Sequence, residues 1–114
     1  MNRLKHMEND PFIRNLLYLA RSKNVRVRLC NFKAHKGLLK GNRIGIDSKL
    51  NIAEIRYVLA HEIAHLYLHK DKGDTIHSPY HKEYEEQANR VAELILDLLS
   101  INVISKNSEF EVAI

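Results

Sequence analysis

The run His61-Glu62-Ile63-Ala64-His65 constrains this chain more than any other five residues, because its two histidines can act together only if the segment is helical. In a helix the side chains at i and i+4 stand one turn apart on the same face, so both imidazoles can reach one tetrahedral metal ion. The flanking sequence provides such a helix. Asn51 with Glu54 three residues on forms a capping box, and Ile52, Ile55, Leu59, Ile63 and Leu66 mark one apolar face that continues to about His69. Glu62, beside the histidines, can take a proton from a water acidified by the metal and later hand it to a leaving amine. The pattern implies metal-assisted hydrolysis. Two surface histidines with no shared ligand are the plainer alternative, and the apolar helical setting argues against it.

A catalytic zinc ordinarily takes three protein ligands and keeps one position open, so a third donor is needed. Two registers compete. The HExxHxxGxxH spacing puts Leu68 where a turn-making glycine belongs and Asp71 at the ligand, which makes Asp71 a weak candidate. The other scheme takes a glutamate from a following helix, with Asp or Asn one turn later, and Glu85-Glu86-Gln87-Ala88-Asn89 fits it. Glu85 is preferred over Glu86, since presenting Glu86 instead requires the helix to turn by about 100° and displaces its apolar stripe. Asn89 is placed to accept the spare imidazole N–H of a ligand histidine.

The rest of the chain reads as follows. Asp10-Pro11 is an N-cap followed by proline, and Phe12, Ile13, Leu16, Leu17 and Ala20 predict a helix over about 11–22. Val25, Val27 and Leu29 alternate with Arg26 and Arg28 as in a half-buried strand ending near Cys30. Gly37–Gly41 and Arg43–Ile46 read as two short strands joined at Gly41-Asn42, where both residues tolerate positive φ. After a loop through Gly73, Ser78 and Pro79, the residues Tyr84, Ala88, Val91 and Ile95 mark a last helix over about 81–100. The expected fold is α+β: an N-terminal helix, a small three-stranded sheet, and the HExxH helix packed beside a glutamate-bearing C-terminal helix. A chain of 114 residues makes one domain, 1–114, with flexible ends at 1–9 and 102–114.

His61–His69, HEIAHLYLH, together with Glu85–Leu96, EEQANRVAELIL, resembles the ImmA/IrrE family of metallo-endopeptidases. The resemblance implies a minimal zincin-like domain, with His61, His65 and Glu85 as zinc ligands and Glu62 as base. It also implies a protein substrate, a helix-turn-helix (Xre-type) repressor of a prophage or mobile element, whose cleavage releases its genes. A metal-binding but non-catalytic module that binds a repressor or acts like a toxin is the alternative. Mn²⁺ or Fe²⁺ can use the same ligands as Zn²⁺.

Other residues near the motif carry weaker signals. His77, Tyr80, His81 and Tyr84 flank the expected site as donors to an oxyanion or substrate. His69, about 12 Å along the helix from His61, is too far to share its ion and reads as a solvated helix-end histidine. Cys30 stands alone, without a CxxC or nucleophile pattern, and reads as a small buried hydrophobe. One cysteine, no apolar leader near Met1 and no stretch of about 20 apolar residues point to a cytoplasmic protein without a membrane span. Residues 1–46 hold eleven Lys/Arg against two acids and residues 47–114 seven against twelve. The basic half lacks interleaved aromatics or a DNA-binding motif, so no direct nucleic-acid contact is expected.

Overall fold

Asp10 starts the first helix as its sequence suggests: its carboxylate accepts from the backbone N–H of Phe12 and Ile13, and Pro11 follows at the first turn. In this computed structural model, which describes residues 7–69 and 77–107, the helix α1 spans Pro11–Arg21 and buries Ile13, Leu16, Leu17 and Ala20. Asn24, at φ 59°, reverses the chain into strand β1, Arg26–Cys30. β2, Gly37–Lys40, and β3, Arg43–Asp47, form the expected hairpin. Of the two turn residues only Gly41 takes positive φ, at 59°.

The strand order is β1-β3-β2, with β1 parallel to β3 and β2 antiparallel to it, so the sheet is mixed and β3 is its centre. Burial follows from that order. Ile44 and Ile46 of β3 are fully buried, whereas Val27 and Leu29 on the edge strand are only partly so.

Helix α2, Ile52–His69, opens with the reciprocal capping box: the Glu54 N–H donates to Asn51 Oδ1 at 2.8 Å and the Asn51 N–H to Glu54 Oε1 at 3.3 Å. Its residues Ile55, Leu59, Ile63 and Leu66 sit in the core with α1 and the sheet, and Ala60 and Ala64 are buried as well, so the helix is covered on more than one side. Helix α3, His81–Asn107, runs antiparallel to α2, since Tyr57 pairs with Asn89 while His69 meets Tyr84.

The result is an α+β domain of three helices and a small mixed sheet. Two expectations about the ends need correcting. The last helix continues to Asn107 rather than stopping near Ser100, because no glycine or proline interrupts 100–107. At the other end Met7 is buried in the core and its carbonyl accepts from the Asp10 N–H, so 7–9 belongs to the packed structure. Among the described residues no helix is long and apolar enough to cross a membrane.

Candidate metal centre

The centre lies where α2 and α3 face each other. The Nε2 atoms of His61 and His65 are 3.1 Å apart, His61 Nε2 is 3.6 Å from Glu85 Oε1, and His65 Nε2 contacts Glu85 Oε2. One donor atom from each of these residues lies within 4.8 Å of the others. A tetrahedral ion with bonds of about 2.0–2.1 Å sets its ligand atoms about 3.3 Å apart; the His61–His65 and His61–Glu85 separations lie on either side of that value, and His65 and Glu85 stand closer. Two imidazoles and a carboxylate are also the donor types of a catalytic zinc, so the residues present fit a divalent ion.

Glu62 stands behind this group and is only 7% exposed. Strand β2 covers it: a Cβ placed on Gly37 would lie 3.2 Å from both Glu62 Cγ and Oε2. Burial, and then the charge of Glu85, pushes the Glu62 carboxyl up to about 7. His65 moves the other way. Burial holds its imidazole below the usual value, partly countered by the Glu85 carboxylate.

The remaining candidates are distributed around the centre in a way the sequence does not show. Glu86 is not among the clustered donors; its side chain is 53% exposed and pairs with Arg90 at 3.9 Å. Asp71 lies outside the described residues. Asn89 Oδ1 accepts from the Tyr57 hydroxyl at 2.9 Å, and the Nδ1 of His65 is met by His69 instead, so Asn89 braces Tyr57 where a ligand imidazole was expected. Burial, with the charges of Glu93 and Glu85, raises the Tyr57 hydroxyl above its ordinary value and keeps it a donor. Tyr84 packs its ring on His69 with centroids 4.5 Å apart. Tyr80 is largely exposed, its ring 6.3 Å from that of Tyr84, and His77 and His81 are exposed beside the start of α3.

His69 corrects the sequence reading most sharply. Instead of a solvated helix end it is 4% exposed, its Nδ1 3.0 Å from His65 Nδ1 and its Nε2 2.9 Å from Gln87 Oε1. His69 is two turns from His61 but only one from His65, which is the histidine it meets. The roles of Gln87, of Tyr57 and of Gly37 against Glu62 likewise depend on tertiary packing. Gln87 alone carried a usable signal, standing two residues after Glu85 on the helix that supplies the third donor.

Two packed helices that converge two imidazoles and a carboxylate, with a second carboxyl buried behind them, define a candidate metal-binding α+β domain. The model of the IrrE N-terminal-like domain, peptidase M78, matches residues 20–100, from the end of α1 through the sheet and α2 into α3, and the chain belongs to that metallopeptidase family. Searches of curated proteins and of solved structures returned no significant match.

Proposed function

We propose that this chain is a zinc-dependent endopeptidase with a zincin-like site, acting in the cytoplasm on a protein substrate, a helix-turn-helix repressor of a prophage or mobile element. One observation supports the hydrolytic reading: donor atoms of His61, His65 and Glu85 all lie within 4.8 Å of one another, with the buried Glu62 carboxyl beside them. The repressor is inferred from the family membership and the ImmA/IrrE resemblance.

His61, His65 and Glu85 are the residues that would hold the ion. When bound, a divalent ion polarises the scissile carbonyl and makes water more acidic. Glu62 accepts the proton of the attacking water and delivers it to the leaving amine. A carboxyl poised near 7 by burial is suited to both transfers at neutral pH. Burial of Glu62 under β2 also keeps bulk water from competing for that proton. A metal-binding imidazole has to be neutral, and the downward shift of His65 favours that state.

The test pairs purified chain, loaded with Zn²⁺, with a candidate repressor and follows the products by mass spectrometry. Cleavage that is lost in Glu62→Gln, with zinc content unchanged, supports the proposal. Zinc binding without any Glu62-dependent product would leave a non-catalytic binding module.

A further inference from the structure

We infer that Gln87, acting through His69, fixes which ring nitrogen of His65 carries its proton and thereby leaves Nε2 of His65 free to bind a cation. The inference rests on the reading of His61, His65 and Glu85 as a metal site, and extends it to two residues that are not ligands. Three side chains stand in line. His65 Nδ1 lies 3.0 Å from His69 Nδ1, and His69 Nε2 lies 2.9 Å from Gln87 Oε1.

The direction of the chain follows from counting protons. An amide oxygen only accepts, so the His69 Nε2–H donates to Gln87. A neutral imidazole carries one proton, which leaves His69 Nδ1 bare and able only to accept. The partner it accepts from is the Nδ1–H of His65. The lone pair of His65 is then on Nε2, the atom that faces His61 Nε2 and Glu85. If Gln87 turned its NH₂ to His69 the whole order would reverse. His69 would then donate from Nδ1, and His65 would carry its proton on Nε2, where it blocks an ion.

The surroundings hold this line in place. His69 is buried and its ring lies against Tyr84, so it has little freedom to swing away. Gln87 is on α3 two residues beyond Glu85, so the helix that supplies the third donor also supplies the acceptor at the far end of the relay. Gln87 and His69 are positioning residues. Partners that orient a metal-binding imidazole typically contribute 10–100-fold in affinity.

The experiment uses the full chain with ¹⁵N-labelled histidine. Long-range ¹H–¹⁵N spectra of the imidazoles are recorded without metal and with Zn²⁺, and Zn²⁺ affinity is measured by competition with a chromophoric chelator. We expect His69 as the Nε2–H tautomer in both spectra. Zinc affinity should fall roughly 10-fold or more in Gln87→Leu and recover in Gln87→Glu, which restores an acceptor oxygen. Gln87 is exposed, so neither variant removes a core residue. Finding His69 as the Nδ1–H tautomer, or unchanged zinc affinity in Gln87→Leu, would overturn the inference. A wild-type chain that binds no Zn²⁺ refutes the metal reading instead, and the metal-free spectrum then decides the tautomer alone.

Discussion

Glu62 is held in its place against its own preference for water. A carboxyl whose folded value is raised above the unfolded one costs nothing while both states are protonated, and opposes folding once both are ionised. For Glu62 the change runs from the ordinary 4.5 to about 7. In metal-free protein its unfavourable contribution should therefore be absent below about pH 4.5, grow as pH rises, and level off above about 7 at roughly 3 kcal/mol. Glu62→Gln keeps the shape and removes the ionisation, so this variant should gain stability over wild type across that pH window. Urea denaturation of both proteins in chelator, from pH 4.5 to 8, checks it; parallel curves would show that the carboxyl is better solvated than its position implies. Asp10 is the opposite case. Burial alone would raise it, but Arg56 and the backbone N–H groups of Ile13 and Phe12 outweigh that and hold it below the usual range, so its contribution is lost as pH falls through the acid range.

At the scale of the helix and strand, the close approach of β2 to α2 sets how dry Glu62 is, and that approach depends on Gly37 lacking a side chain. A Cβ there would lie 2.4 Å from Val58 Cγ1 as well as against Glu62. Gly37→Ala is expected to lift the strand and destabilise the fold by about 1–3 kcal/mol, measured by denaturation. Because the lifted strand also lets water reach Glu62, the pH dependence described above should weaken in the same variant. A Gly37→Ala protein as stable as wild type would show that β2 and Val58 can shift freely. Sequence made most of these elements readable, and physics explains which. Asp10-Pro11, the Asn51–Glu54 box and the Gly41 turn are local devices, decided by neighbours within a few residues, and all three form. The one-turn pairing of His61 with His65 is local for the same reason. Tertiary partners were not: the pairing of Tyr57 with Asn89, the burial of His69 and the Gln87 contact depend on how α3 lies on α2, which no local pattern encodes. The parallel pairing of β1 with β3 is another such case, since the hairpin alone leaves the place of β1 open.

For the molecule as a whole, the centre joins two helices whose donors are twenty residues apart in sequence, His65 on α2 and Glu85 on α3. The unfolded chain keeps the one-turn spacing of His61 and His65 only fleetingly and loses the placement of Glu85 altogether, so an ion that takes all three binds the folded state preferentially. Folded-state binding adds stability by mass action, about 4 kcal/mol when free metal is a thousand times Kd. In a domain of this size that corresponds to a rise in Tm of roughly 15 °C or more. Thermal unfolding with and without Zn²⁺ should show such a rise in wild type. Glu85→Ala leaves only the two imidazoles of one helix, so its rise should shrink to a few degrees at most. Glu86→Ala should behave as wild type, because that exposed carboxylate pairs with Arg90 and is not among the clustered donors. An equal rise in wild type and Glu85→Ala would place the stabilising ion elsewhere, and the two-helix centre would then have to be abandoned as the origin of the effect.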